Sequence, residues 1–481
     1  MTERLRTGEI WLVGLVAAAG LGVLVERSPA AALGAGVVVA AAAVLVLARR
    51  HTVAVILGSA VVLSSALVDL PNRLSMGQFT ANAGLTVAYS ILGVVVIAYW
   101  RAPAGRDAVR PLMPFGALLI LAMLSVGWGE PSVAAVQNVL VLLVFIAAAF
   151  CGAWIAMHEP TPGRFAGRIF TWGSIVALAL YSGSLVLGGA GGGTVVGNRS
   201  FALFALLVVA WGAAAWRYHG RYGRAFTVLG TGLILLSLSR IAFAAALVIC
   251  CGVWLNRRTL GGWVRFLAAV AATAAIGYLV IETVDPLRER FFTGDVRSLG
   301  GGLTVNLTGR SELWSSTWTS YLESPIFGHG AGSADTLIAN LYSEAIGHPH
   351  NDYLRILHDY GLLGACLWAS GFLWLMTRTW RSWHRPPTGS AVPVSHDRQL
   401  RHVSAAAFLA LLAVAITMAT DNAVVYLYVM GPLGVLVGLS LGSEARVARG
   451  EALSRLGQRS VVPSGRLVAE RPGKTADEGR V

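Results

Sequence analysis

About fourteen uncharged stretches follow one another along this chain, each approaching the length a helix needs to cross roughly 30 Å of hydrocarbon at about 1.5 Å per residue. They fall at approximately 9–25, 29–48, 52–68, 83–100, 112–128, 133–156, 169–189, 201–216, 224–238, 241–255, 263–283, 357–377, 403–420 and 424–442. A soluble domain cannot bury so many apolar runs in one core, because cores stop growing near about 250–300 residues. The runs are continuous and lack the two-residue alternation of a barrel strand. The reading is therefore an all-α polytopic transmembrane protein of about 14 spans, with a range of 12–14 because several runs are short.

A formal charge of +13 would suggest nucleic acid in a soluble domain; here its distribution matters more. With the N-terminus inside, the cytoplasmic segments hold 28 of the 37 basic residues and the outer segments 8. Merging 224–255 into one span would move Arg257 and Arg258 outside and spoil this asymmetry, so two spans are kept there and both termini are expected in the cytoplasm. The first run follows Arg4 and Arg6 like a signal peptide, but no A-x-A site ends it, and it is expected to be retained. Cys151, Cys250, Cys251 and Cys366 all lie in apolar runs, so no disulfide framework is readable.

The expected organisation is a bundle of about 11 spans over 1–283, an extracytoplasmic loop domain over 284–350, C-terminal spans over 351–442 and a disordered cytoplasmic tail over 443–481. Within the loop, Thr308 is expected to cap a helix through Leu322, with Trp314, Trp318 and Tyr321 forming an aromatic ridge suited to lipid headgroups. Ser324-Pro325 closes that helix. A second helix is expected over Ser333–Ala345, and Asn351 is a good N-cap for the long helix that re-enters the membrane.

Three outer-face features carry chemical potential: Arg240 between two spans, Arg310 in the first turn of the loop helix, and His348-Pro-His350-Asn351. Each alone has a bland reading, a snorkelling arginine or a capping histidine. Outward arginines are scarce in this chain, however, and helix N-termini favour anions that a guanidinium fork also fits. The same helix end disfavours a protonated His350, leaving a neutral imidazole able to accept a proton. A base with two arginines suits activation of a hydroxyl beside a diphosphate leaving group. Zinc is set aside because His329, His348 and His350 lack a carboxylate or thiol at ligand spacing, and Gly473-Lys474-Thr475 imitates a P-loop without its first glycine. No metal or cofactor is expected.

The stretch His350-Asn351-Asp352-Tyr353-Leu354, continuing through Asp359-Tyr360-Gly361-Leu362-Leu363-Gly364, resembles the H-N-x-Y-L and G-x-x-G signature of the bacterial O-antigen ligase and O-antigen polymerase superfamily. Gly309-Arg310, Trp314 and Ser324-Pro325-Ile326-Phe327-Gly328-His329-Gly330 are similar to its upstream stretch, and Leu238-Ser239-Arg240 to its span junction. The resemblance covers roughly residues 195–440. It implies an inverting, metal-independent glycosyltransferase that moves a glycan from an undecaprenyl diphosphate carrier to a sugar hydroxyl on a glycan or glycolipid acceptor. The place would be the outer face of the bacterial cytoplasmic membrane, in cell-surface polysaccharide biosynthesis, with no nucleic acid involved. By that analogy His350 is the base or acceptor-orienting group and Arg240 and Arg310 hold the diphosphate. Asn351 supports His350; Tyr353, His348, Arg199 and Arg355 line the cavity; His329 is a second polar contact. The competing classes are a transporter or flippase and a noncatalytic scaffold of a polysaccharide assembly complex. A carrier usually needs ionisable groups near the midplane, whereas Asp69, Glu282 and Asp421 stand at the ends of their runs.

Overall fold

The computed structural model describes residues 56–62, 64, 86, 88–90, 92–93, 107–129, 132–159, 162–189, 196–219, 221–254, 260–283, 288, 297–298, 304–305, 310–342, 347–386 and 394–460. The spans expected at 9–25 and 29–48, and most of those at 52–68 and 83–100, lie outside these residues. So do Thr308 and the end of the helix expected to reach Ala345.

The described elements are α1 (Met113–Ser125), α2 (Val133–His158), α3 (Pro162–Gly188), α4 (Asn198–His219), α5 (Arg221–Leu236), α6 (Arg240–Gly252), α7 (Leu260–Thr283), β1 (Arg297–Ser298), β2 (Thr304–Val305), α8 (Arg310–Tyr321), α9 (Ser333–Leu341), α10 (Asp352–Trp383), α11 (Val394–Met418) and α12 (Leu427–Ser460). Among the described residues the fold is all-α apart from the two-residue antiparallel ladder of β1 and β2. Seven helical stretches among the described residues are long and apolar enough to cross a membrane: Asp107–Ser125, which ends in α1, then α2 to α4 and α10 to α12. The chain is thus a multi-pass membrane protein.

The runs at 224–238 and 241–255 do form two helices rather than one. Leu238 adopts a φ of 61°, which no helix continues through, and α6 restarts at Arg240. At 16 and 13 residues, α5 and α6 are about 24 and 20 Å long, short of a full crossing.

Membrane helices associate by close backbone packing rather than by hydrophobic exclusion, which favours small residues at contacts. The pairing of α2 with α12 follows this rule. Gly434, Gly438 and Gly442 recur every fourth residue and face Phe145, Ala149 and Ala153, and a Cβ at Gly438 would fall on the Ala149 carbonyl. Next to α12 lies α4, which is buried on every face from Phe201 to Ala214, as a uniformly apolar helix must be. Its packing against α5, α6 and α11 centres the bundle.

At the other end of the chain the boundary at 442 does not hold, because α12 runs on to Ser460. Two ion pairs tie the extension to α10 and the residues just after it: Arg378 with Glu444 at 3.0 Å and Arg385 with Glu451 at 2.6 Å. Charge placement at helical spacing thus orders a segment whose composition alone reads as disordered.

The loop segment after α8 is clasped by α10. Gly361, at φ 63° and ψ −166°, interrupts that helix in a conformation open essentially to glycine alone. Into the break the chain at 325–330 docks through backbone bonds: Leu362 N–H to Pro325 O (2.8 Å), His329 N–H to His358 O (2.9 Å) and Gly330 N–H to Asp359 O (2.9 Å). The glycine-rich stretches that carried the family resemblance are therefore the two halves of one structural clasp.

Candidate functional site

Three helix N-termini and one loop meet on a single face of the bundle. The loop is 419–426, between α11 and α12, and it contains Asp421 and Asn422, both buried at 2% and 0% exposure. Arg199, in the first turn of α4, closes on Asp421 Oδ1 through Nε and Nη2, each at 2.6 Å. Arg310, the first residue of α8, donates through Nη1 to Thr420 O at 3.0 Å. Asp352, the first residue of α10, accepts from Val424 N–H through Oδ2 at 2.9 Å. The loop is thereby pinned to all three helix starts.

His350 stands at the junction. It adopts a φ of 55°, in the left-handed region that only a tightly determined non-glycine residue occupies. Its Nδ1 accepts from Arg199 Nη2 at 2.9 Å and from Asn422 Nδ2 at 3.0 Å. A guanidinium only donates, so Nδ1 carries the lone pair and the neutral ring bears its proton on Nε2. Burial first, then the charges of Arg199, Arg310 and His348, push the imidazole down from 6.5 to about 3. The neutral form expected from the helix end is thus enforced mainly by burial and by the arginines.

The unfolded chain binds a proton at His350 below pH 6.5 while the folded protein declines it down to about 3. This site therefore removes stability as pH falls through that window and is neutral above it. Between about pH 7 and about pH 4, the thermal midpoint of the wild type in detergent is expected to fall more steeply than that of His350→Asn. Parallel slopes would show that His350 takes no part.

The remaining sequence candidates divide. Asn351 Oδ1 accepts from Leu354 N–H at 3.0 Å and caps α10, as expected. His348 donates from Nδ1 to Asp335 Oδ1 at 2.8 Å, joining the approach to His350 to the first turn of α9. Trp314 donates to Pro349 O at 2.9 Å, so this member of the expected aromatic ridge braces the His348–His350 turn instead of facing headgroups. Tyr321 is buried, Trp314 is half-buried, and Trp318 is exposed, at 48%. Tyr353 O–H donates to Ala415 O at 2.8 Å.

Arg240 shares the membrane face of Arg199, because α4 and α5 form a hairpin and α6 starts where α5 ends. It is not among the charges acting on His350. Arg355 lies beneath the junction, 4% exposed, paired with Asp352 at 3.0 Å and donating to Asn138 Oδ1 at 3.2 Å; it lines a partly open cavity with Asn138, Tyr360 and Trp368. His329 belongs to a different cluster. Its Nε2–H donates to Ser320 O at 2.7 Å and its ring stacks on His358 at 4.7 Å. Beside it, Asp359 receives Ala334 N–H and Ser333 O–H, at 2.8 and 3.1 Å, and caps α9. That second cluster belongs to the clasp.

Asp421 and Asn422 were not read as site residues. Their signal was present, since an acidic-amide pair between the apolar runs 403–420 and 424–442 is costly at a membrane edge unless it has partners.

Residues 225–369 match a family model described as O-antigen ligase. No curated protein matches the chain. The matched region spans α5 to the middle of α10 and takes in Arg240, Arg310, His329, His348, His350, Asn351, Tyr353 and Arg355, whereas Arg199 and the 419–426 loop lie outside it. The match, on a multi-pass helical protein, assigns residues 225–369 to the O-antigen ligase and polymerase superfamily.

Proposed function

We propose that this protein transfers a glycan from an undecaprenyl diphosphate carrier to a sugar hydroxyl, with inversion and without a metal, at the extracytoplasmic face of the cytoplasmic membrane. The reaction is a single displacement. The acceptor hydroxyl oxygen bonds to the anomeric carbon, the bond to the diphosphate oxygen breaks, and undecaprenyl diphosphate leaves with the electron pair. The hydroxyl proton goes to His350. Cationic side chains offset the charge that grows on the leaving diphosphate, Arg310 and Arg199 from the junction and Arg240 from the start of α6. The arginine asymmetry of the sequence supports the orientation.

One observation carries this reading: His350 Nδ1, with Arg199 and Asn422 donating to it and Arg310 close by. In the structure Arg199 occupies the lone pair, and burial together with the surrounding positive charge holds the ring neutral. A bound diphosphate attracts Arg199 and cancels that charge, which frees Nδ1 and raises its proton affinity. Base strength thus arrives together with the leaving group it serves.

The testing experiment supplies lipid-linked glycan and acceptor to the purified protein in nanodiscs containing a chelator. Wild type joins the two, and Arg310→Ala is slower by about 10²–10³-fold, the scale for loss of one preorganised charge donor. Undiminished joining by Arg310→Ala removes the catalytic assignment, and glycan movement across the bilayer without bond formation indicates a carrier.

A further inference from the structure

The stretch 361–377 of α10 contains no charged residue and is bounded by Asp359 on one side and Arg378 on the other. At 1.5 Å per residue it is about 25 Å long, close to the hydrocarbon thickness of a bilayer. Gly361 therefore marks the hydrocarbon edge on the His350 side. The buried charges Asp352, Arg355 and Asp359 all lie above that edge, and the lipid-facing Leu373, 62% exposed, lies below it.

The turn after α8 is bonded to α10 at this level. Pro325 O accepts from Leu362 N–H at 2.8 Å and Ile326 O from Leu363 N–H at 3.2 Å. Residues joined backbone to backbone with Leu362 and Leu363 share their depth. They also share their character: Leu322 is 57% exposed, Ile326 60%, Phe327 55%, Leu362 55% and Leu363 41%. The apolar surface continues on the neighbouring turn after α1. There Gly129 packs against the backbone of His329 and Gly330, and Val126 and Trp128 are 43% and 48% exposed. Exposed side chains of this kind at a hydrocarbon edge have one low-energy neighbour, the acyl chains and headgroups of the adjoining leaflet.

We propose that Leu322 and residues 325–327 form a wedge inserted into the leaflet on the His350 side, with Ile326 and Phe327 below the headgroups and the exposed Glu323 at headgroup level. The loop domain is then part of the membrane surface rather than a lobe held in water. The clasp at Gly361 sets the depth of insertion. Through α8, which carries Arg310, the wedge fixes the height of the junction above the hydrocarbon.

The test uses the full chain with Cys151, Cys250, Cys251 and Cys366 replaced by alanine, in phosphatidylcholine and phosphatidylglycerol nanodiscs. A nitroxide is attached at Ile326→Cys or Phe327→Cys, side chains exposed enough to carry a label without disturbing the core. Glu312→Cys serves as the aqueous reference and Leu373→Cys as the lipid reference. Collision with oxygen is expected to exceed collision with a water-soluble nickel chelate at 326 and 327, as at 373, with the reverse at 312. Phe327→Cys is also expected to react with an impermeant maleimide at least about tenfold more slowly than Glu312→Cys. Nickel-dominated relaxation at both wedge positions overturns the proposal, because the loop then stands in water. Shielding from both reagents with spin–spin broadening overturns it in favour of a second copy of the chain covering this face.

Discussion

His350→Ala is expected to lower the rate of glycan joining by about 10²–10⁴-fold, the range over which a positioned general base acts. Most of that loss should appear in kcat, because the proton moves only as the new bond forms. A structural explanation is separable from a chemical one. Asparagine tolerates the left-handed backbone at φ 55°, and its amide oxygen can still accept from Arg199 and Asn422, so His350→Asn preserves the junction but takes no proton. Both variants should therefore be comparably slow while only alanine loosens the 419–426 loop. The readouts are the initial joining rate in nanodiscs and hydrogen exchange across 419–426. If His350→Asn restores joining to near the wild-type rate, the ring orients rather than accepts a proton, and the base role fails.

Asp352→Ala should be the most damaging single change to stability, by about 3–5 kcal/mol, the cost of stranding a buried charge. The side chains of Asp352 and Arg355 are 0% and 5% exposed and 3.0 Å apart, so removing the carboxylate leaves a buried guanidinium without its ion-pair partner, with only the more distant charges of Asp335 and Asp359 to offset it. The same carboxylate accepts from Val424 N–H, and its loss unpins the 419–426 loop from α10. The expected result is a lower thermal midpoint in detergent and reduced accumulation in membranes. Adding Arg355→Met should recover much of the loss, since replacing both partners of a buried pair with apolar groups is often neutral. A double variant as unstable as Asp352→Ala would place the damage in the loop contact instead of the stranded charge.

Local signals made some elements readable and left others hidden. The capping role of Asn351 and the start of α9 at Ser333 depend on residues within one helical turn of the feature, while the separation of α5 from α6 followed from the distribution of arginines between loops. The contrast is Arg199, which was legible as an outward arginine but not as the partner of Asp421, 222 positions away in the chain. His329 and Arg355 were grouped with His350 because they share its stretch of sequence. A φ of 63° at Gly361 and the threading of 325–330 through the break send His329 into the clasp, and the helical turn after Asp352 buries Arg355 beneath the site. Trp314 likewise left the aromatic ridge because Pro349 O lay within reach of its indole.

Membrane class, the order of apolar runs and the helices of the loop were written in the chain, because the cost of moving a residue into hydrocarbon is incurred one side chain at a time and sums along a contiguous run. Folding in three dimensions alone determined that Arg199, Asp421, Asn422 and His350 form one junction. The energy of a buried polar contact depends on which distant groups arrive together to satisfy it, and no single run of sequence carries that information.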